Sequence, residues 1–172
     1  MSATVETLED LFQAQLKDIY YAENKILKAL PKMQKKASNA KLAAAFKKHE
    51  AETVTQVEKL ERVMTSLGMK VKGEKCEAIE GILKEAEEMM KECGNPAVCD
   101  AAMIGAAQKV EHYEIATYGT LVCYATSLGH KAEAKLLQSI LDQERKTDEG
   151  LTALAESGVN DTAQEPDQEE AA

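Results

Sequence analysis

The chain has 172 residues, enough for one domain, and 44% of them are apolar, enough for a sizeable core. Three prolines, nine glycines and no tryptophan, with abundant Ala, Glu, Lys and Leu, indicate an all-α protein and argue against a β-sandwich or β-barrel. The net charge of −9 does not suit a phosphate-binding surface, so we expect no nucleic-acid partner.

The first predicted helix begins at a Thr4 cap and extends to about Ala37, with Pro31 bending its last turns rather than ending it. Ser38-Asn39 is a cap signal for a second helix, 40–67, which Gly68 ends in the left-handed conformation.

After a connector at 69–74, residues 75–93 form a shorter predicted helix. Asn95-Pro96 then starts a third long helix, which reaches Leu128 and ends at Gly129. A fourth long helix covers 131–156 and ends at Gly158.

The connections between these helices predict a ferritin-like four-helix bundle. Two short connections define two antiparallel hairpins, and the long segment 68–95, with its additional short helix, is long enough to cross the bundle. We expect residues 1–158 to form this domain. Residues 159–172 are acidic and poor in large apolar groups, so we expect a disordered tail whose removal after Gly158 leaves stability nearly unchanged.

The sequence shows no sign of a membrane or export segment. No apolar run approaches the ~20 residues of a transmembrane helix, the lysines are scattered, and the N-terminus lacks the basic and apolar regions of a signal peptide. We therefore expect a cytoplasmic protein with no membrane partner.

Four cysteines occur without a C-x-x-C motif, which supports neither a zinc ribbon nor a thioredoxin-type site. Cys93 and Cys99 flank a tight turn, so the choice between a structural or redox-labile pair and ordinary apolar thiols stays open.

Carboxylates recur at matching places in the two hairpins. Glu23 and Glu52 are 29 positions apart, and Glu114 and Glu144 are 30 positions apart. Glu111 lies three residues before Glu114, so both share a helix face. Because the spacing repeats in both hairpins, a common site explains these glutamates better than independent positions on the surface do.

Several of these glutamates interrupt apolar stripes. Glu23 lies among Ile19, Ile26 and Leu30, and Glu144 among Ile140 and Leu151. Buried ionised carboxylates are strongly disfavoured unless they are paired, and no Lys or Arg lies on these stripes. Two metal ions bridged by carboxylates would neutralise the cluster, as in di-iron bundles. The alternative is that these glutamates lie on helix faces exposed to solvent and bind no metal.

Neighbouring histidines and tyrosines have several possible roles. His49 shares a face with Glu52 and corresponds to apolar Leu141 in the repeat, which suggests an inward position as a ligand, a partner of a ligand or an ordinary buried histidine. His112 is predicted to bond a core group and His130 to lie on the surface. Tyr20 and Tyr113 could bond the ligands, although packing alone also explains them.

The sequence resembles the YciF family of bacterial stress-associated, ferritin-like proteins. The resemblance is carried by segments that cover nearly the whole chain except the acidic tail: LEDLFQAQLKDIYYAE (8–23), FKKHEAET (46–53), KCEAIEGIL (75–83), AAQKVEHYEIATYGTL (106–121) and AKLLQSILDQERKTDEGLTALA (134–155). It implies a bundle with an extra helix, assembled as a homodimer, and a rubrerythrin-like di-metal centre. The matching ligand positions are Glu23, Glu52, Glu111, Glu114 and Glu144.

Two departures bear on the chemistry. The usual Glu-x-x-His pattern is missing after both Glu52 and Glu144, where Asp148 or His49 could supply a ligand instead. A carboxylate-rich site favours iron or manganese over copper or zinc, and iron is the first expectation. The C-x-x-C pairs of a rubredoxin-type module are also absent.

Two functions follow from these observations. The first is a di-metal protein of stressed bacteria that handles peroxide, oxygen or iron. The second is a non-catalytic helical dimer that binds other proteins, with a structural metal or none. Storage in a ferritin-like cage is weaker because no cage-forming C-terminal helix is present.

Overall fold

The computed structural model describes residues 4–164, and within that range the chain is helical and contains no strand. Five long or medium helices follow one another in chain order: α1 (Leu8–Lys36), α2 (Ala40–Ser66), α3 (Glu77–Glu92), α4 (Pro96–Ser127) and α5 (Lys131–Leu154). A π-helical turn at Ala155–Val159 and a single turn α6 (Asn160–Thr162) come after α5.

The four long helices form the predicted ferritin-like bundle. Helix α1 packs against α2 and α4, and α5 packs against α4 and α2, while α3 lies across α1 and α4. The core fills the centre with aliphatic and aromatic side chains from every long helix, including Phe12, Leu60, Met103 and Leu137. None of the helices in the described part of the chain combines the length and apolar character needed to cross a membrane.

Helix boundaries agree with the sequence pattern at most ends. Gly68 and Gly129 take positive φ values of 68° and 83° after α2 and α4, and Pro96 opens α4, as predicted. Pro31 lies inside α1, which continues to Lys36.

The start of α1 corrects one prediction, because Thr7 rather than Thr4 is the cap. The Thr7 hydroxyl accepts from the Asp10 N–H at 3.1 Å, and the Asp10 carboxylate accepts from the Thr7 N–H at 3.0 Å. This reciprocal capping box needs an acceptor three residues after the cap, which Asp10 provides for Thr7.

The end of the domain also lies further along the chain than predicted. Gly158 has a φ of 125°, but Val159 is buried and the chain continues through α6 to Gln164. The expected disordered tail therefore does not begin at residue 159, and residues 165–172 lie outside the described range.

This packing predicts different effects for two truncations. Removing residues 159–172 deletes the buried Val159 side chain and exposes the core surface that it covers. We expect this to lower the free energy of unfolding by about 1–2 kcal/mol relative to removing residues 165–172 alone. Urea denaturation of both truncated proteins measures the difference. Equal stabilities would mean that Val159 contributes nothing to the core.

A buried aspartate on α4 joins the two hairpins. Asp100 is 2% exposed, and its carboxylate accepts from the Ser38 N–H at 2.9 Å, the Ser38 hydroxyl at 2.5 Å and the Asn39 N–H at 2.8 Å. Asn39 in turn caps α2. Asp100 thus fixes the three-residue turn between α1 and α2 against the start of α4.

We expect Asp100→Ala to destabilise the protein by about 2–4 kcal/mol, because three donors lose a charged acceptor in a partly buried place. Chemical denaturation measures the loss. The matched control is Asp142→Ala, an exposed aspartate on α5, for which we expect a change within about 0.5 kcal/mol. A similar small change at Asp100 would show that the turn holds its position without it.

All four cysteines are free thiols. Burial raises the pKa of Cys99, and the neighbouring Cys93 thiol raises it further. Cys76 has a different role: its sulfur lies 3.2 Å from the Tyr113 hydroxyl, where the connector before α3 meets α4.

Candidate metal centre

Four side chains from three helices meet in the interior of the bundle. His49 of α2, Glu111 and Glu114 of α4 and Glu144 of α5 each offer a ligand atom, and these atoms all lie within 4.8 Å of one another. All four residues are buried, with exposures of 5% or less. We call these four residues the His/Glu cluster.

The helical repeat explains why these four converge. Glu111 and Glu114 are three residues apart on α4, and both belong to its buried stripe with Ala107 and Tyr118. On α2, His49 occupies the inward position between Phe46 and Thr53. His49 is therefore buried, as its correspondence to Leu141 indicated.

Glu23 of α1 lies beside the cluster and is fully buried. The hydroxyl of Tyr118, itself fully buried, donates a hydrogen bond to Glu23 Oε1. This bond holds one carboxylate oxygen toward α4 and leaves the second oxygen, Oε2, without a hydrogen-bond partner.

The cluster has more acceptors than donors. His49 Nε2 lies 3.2 Å from Glu111 Oε1, but neither ring nitrogen has an aligned hydrogen-bond partner. Both carboxylate oxygens of Glu114 and of Glu144 are also unpartnered, as is Oε2 of Glu111. Among residues 4–164, no lysine or arginine forms an ion pair with Glu23 or with any glutamate of the cluster. Orphaned buried oxygens of this kind fit a site for cations.

Electrostatics in the interior favour the neutral forms of these acids. Burial raises the pKa of Glu144 to about 11, with the charges of Glu23 and Glu111 contributing. Burial raises the pKa of Glu23 to about 7, although the bond from Tyr118 and the charge of His49 oppose the rise. The pKa of Glu114 is also well above its usual range, first through burial and then through the charge of Glu144.

The pKa of His49 is raised, which favours the positively charged imidazole beside these acids. Burial alone lowers its pKa, but the Glu111 carboxylate at 3.2 Å and the charges of Glu23 and Glu52 outweigh burial, so its pKa is raised. Without a bound cation, protons retained by the buried acids therefore limit the negative charge of the site.

Glu52, predicted as the second-helix ligand, lies at the rim. Its side chain is 26% exposed, and Lys48, one turn earlier, binds its two oxygens at 2.9 and 3.1 Å. The matching positions of the two hairpins therefore differ, since Glu144 is fully buried. Glu52 still lines the same cavity as His49 and Glu111.

Asp148 faces away from the cluster. Its carboxylate accepts from the Gln108 amide at 3.3 Å and lies 3.4 Å from His112 Nε2. The shorter aspartate side chain reaches α4 at the edge of the bundle rather than its centre. His112 is 69% exposed, which corrects the expectation that it bonds a core group.

The other predicted partners also bond elsewhere. Tyr20 donates to Glu61 at 2.8 Å and Tyr113 donates to Asp18 at 2.7 Å, so neither contacts the cluster. His130 caps α5, lies 3.0 Å from Glu9 and stacks on Phe12, so it is only partly a surface residue.

Two buried polar residues on the inner helix faces received no role from the sequence. Tyr118 follows Glu114 by one turn on the same apolar stripe, which was the available signal. Gln56 is fully buried with both amide atoms unpartnered, and it lies two turns after His49 on the inner face of α2. In the sequence, Gln56 shares a helix face with Glu52 at the same four-residue spacing as Glu144 and Asp148, but this pattern alone does not show that it is buried.

Fold and cluster together define a class: a ferritin-like helical bundle with a buried group of histidine and glutamates that could hold a metal ion. The family model described as "Domain of unknown function (DUF892)" matches residues 7–164. The chain therefore belongs to this family, which confirms the resemblance to YciF proteins.

Named relatives agree with this assignment. Protein YciF of Escherichia coli strain K12 is 45% identical over 161 residues, which cover 93% of this chain and 97% of that protein. The crystal structure of the E. coli stress protein YciF superposes with a TM-score of 0.87 at 46% identity, covering 91% of this chain and 99% of the other.

Two further solved structures extend the comparison. YcfI from Rhodopseudomonas palustris, which its description classes provisionally with structural proteins, has a TM-score of 0.86 at 44% identity over 88% of this chain and 97% of its own. A protein from Xanthomonas campestris pv. campestris has a TM-score of 0.71 at 22% identity over 92% of this chain and 97% of its own, which shows the shared fold alone.

Proposed function

We propose that this protein is a stress-associated di-metal protein that binds two iron ions, or manganese ions in their place, and acts on peroxide or oxygen or in iron handling. The observation that carries the proposal is the His/Glu cluster, in which four buried ligand atoms lie within 4.8 Å of one another and most of the oxygens have no partner. The similarity to the E. coli stress protein supports the physiological setting.

The residues fit a pair of cations by charge and by ligand type. Glu23, Glu111, Glu114 and Glu144 carry four negative charges when ionised, which two divalent ions balance. Carboxylate oxygens with one imidazole are ligands suited to iron and manganese. His49, Glu111, Glu114 and Glu144 would hold the ions, with Glu23 as a fifth ligand oriented by Tyr118.

In this proposal Glu52 is a mobile ligand. A change of side-chain rotamer would release it from Lys48 and turn it inward along the cavity wall that it shares with His49 and Glu111. Glu52 would then become the counterpart of Glu144 that the repeat predicted. Asp148 stays outside the ligand set because of its contacts with Gln108 and His112.

Held by His49, Glu111, Glu114 and Glu144, two reduced ions would supply two electrons to a small oxidant. The chain's own contribution is to exclude water and to hold protons. Apolar side chains such as Val110 and Ile140 are buried on the same helices as the cluster glutamates. The Tyr118 hydroxyl keeps its proton because burial and the charges of Glu23 and Glu114 raise its pKa. Tyr118 therefore remains a hydrogen-bond donor that positions Glu23.

Metal analysis with absorption spectroscopy tests the proposal. We expect about two ions per chain after anaerobic loading with Fe(II), and an absorption change when peroxide is added. Glu144→Gln should lose most of the metal, while Glu149→Gln, an exposed glutamate on the same helix, should keep it. A wild-type protein that retains no metal under these conditions would overturn the proposal.

A second candidate is a homodimer that binds other proteins without catalysis. The provisional description of the R. palustris relative favours it, and so do the half-buried Ile82, Leu83 and Met90 of α3. Light scattering that shows a dimer, together with stability unaffected by chelators or added metal, would support this function over the first.

A further inference from the structure

A cavity of about 380 Å³ opens from the surface toward the His/Glu cluster. Its walls come from α1, α2, α4 and α5, with Leu83 of α3, and they are mainly apolar. The larger wall side chains are Ile26, Leu30, Met33, Phe46, Leu151 and Leu154. The cavity exists because small residues, such as Ala45, Ala107 and Gly150, stand where larger side chains would meet.

The inner end of the cavity is polar. His49 and Glu111 form part of its wall, and each is at least nine-tenths buried and has unpartnered atoms. A cavity with apolar walls and a few convergent polar groups is the usual form of a small-molecule site.

Three of the charged residues that line the cavity are lysines, although the protein as a whole is acidic. Lys41, Lys48 and Lys146 line the cavity, and all three are exposed. Lys48 is paired with Glu52, whereas Lys41 and Lys146 form no ion pair within residues 4–164. Two lysines are thus available to an anion on a chain whose net charge is −9.

We propose that this cavity binds a free amphipathic monocarboxylate with an unbranched apolar chain of about ten carbons. The carboxylate contacts Lys41 and Lys146, and the chain fills the apolar interior as far as His49 and Glu111. A volume of 380 Å³ holds about a dozen heavy atoms at ~30 Å³ for each water-sized group. This binding does not depend on a metal ion, so it can fail or succeed separately from the di-metal function.

Isothermal titration with decanoate tests the proposal on the full-length protein, both metal-free and loaded with Mn(II). We expect saturable binding of one decanoate per chain in both forms. Decanol, which lacks the charge, and acetate, which lacks the chain, should each bind at least about tenfold more weakly. Replacing both Lys41 and Lys146 by Gln should weaken decanoate binding by a similar factor and reduce its salt dependence.

Two substitutions that fill the cavity provide the decisive comparison. Gly150 lines the cavity and a Cβ added there meets no atom within 4 Å, so Gly150→Leu can be introduced without a clash at Cβ and also improves helix propensity. Gly150→Leu and Ala45→Leu should each lower decanoate affinity at least tenfold. Gly105→Leu is the matched control, since Gly105 is an equally open, exposed helical glycine outside the cavity and should bind as wild type does.

Several results would overturn this proposal. One is the absence of decanoate binding in every form, and another is equal binding by the two cavity variants and Gly105→Leu. Co-sedimentation with phosphatidylglycerol vesicles without binding of decanoate would assign the lysines to a membrane surface. A change in molecular mass by light scattering in Gly150→Leu, without decanoate binding in the wild type, would show that a second copy of the chain occupies the cavity.

Discussion

Fe(II) or Mn(II) is expected to raise the melting temperature of the metal-free protein by about 5–10 °C, and Glu144→Gln is expected to remove this effect. A ligand at about 100 times its dissociation constant stabilises the native state by about 2.7 kcal/mol. For a domain of this size, each kcal/mol raises the melting temperature by about 2–4 °C. Glu144 is fully buried with both carboxylate oxygens unpartnered, so its loss removes a central ligand.

Without metal, the same substitution is expected to have little effect on stability or to increase it. Glu144 lies near Glu23 and Glu111, and their charges add to its burial in disfavouring ionisation. Glutamine keeps the volume of the side chain and is neutral without having to retain a proton on folding. A mutation that stabilises the metal-free state and abolishes stabilisation by metal is the signature of a ligand rather than of a packing residue.

Glu149→Gln is the matched control for this experiment because Glu149 is exposed on the same helix. Its melting temperature should respond to metal as that of the wild type does. Identical melting temperatures for wild type and Glu144→Gln, with and without metal, would contradict the proposed metal site.

The sequence predicted the bundle because its periodicity and its end signals agree with each other. Apolar stripes at helical spacing define the long helices, and Gly68, Pro96 and Gly129 mark their limits. Glu23 and Glu144 could be identified as buried because they occupy central positions of those stripes.

Positions at the edge of a stripe could not be assigned in this way. Residues i and i+3 on a helix differ by only about 60° in direction, so the pattern cannot decide which of His49 and Glu52 points inward. The structure resolves the choice through Lys48, whose ammonium group holds Glu52 at the rim. Asp148 is a similar case, because its short side chain reaches Gln108 before it reaches the cluster.

Contacts between distant helices were beyond the sequence pattern. Tyr118 and Glu23 are 95 positions apart, as are Tyr113 and Asp18. Proximity to the glutamates along the chain suggested Tyr20 and Tyr113 as partners. The partner is Tyr118, because its place on the inner face of α4 brings its hydroxyl to α1.

The metal-free protein is expected to lose stability as the pH rises above about 5, a trend opposite to that of a protein stabilised by ionised carboxylates. In the native state, the pKa of Glu23 is about 7 and that of Glu144 about 11, against about 4.5 for an exposed glutamate. Because these values are raised on folding, the stability contributed by the protonated acids is fully present below pH 4.5. That stability is lost as the pH rises through the native-state values.

His49 acts in the same direction, since its raised pKa also favours the native state only while the proton is bound. On the surface, the pKa of Glu80 is lowered by its bond with Lys25 and that of Glu87 by its bond with Lys32, so both ion pairs stabilise the protein above their unfolded pKa values. These exposed pairs contribute little and lose their effect only in acid. The net result is a stability maximum in mildly acidic solution.

Urea denaturation at pH 5.5, 7.0 and 8.5 in the presence of a chelator measures this trend. Each proton that the native state retains and the unfolded state releases costs about 1.4 kcal/mol per pH unit, so the wild type should weaken steadily across this interval. Glu144→Gln should show a shallower decline, and Glu149→Gln should follow the wild type. A stability that stays constant from pH 5.5 to 8.5 would contradict the protonated cluster. Saturating Mn(II) should reverse the slope, because metal binds the ionised carboxylates and releases the protons that stabilise the metal-free bundle.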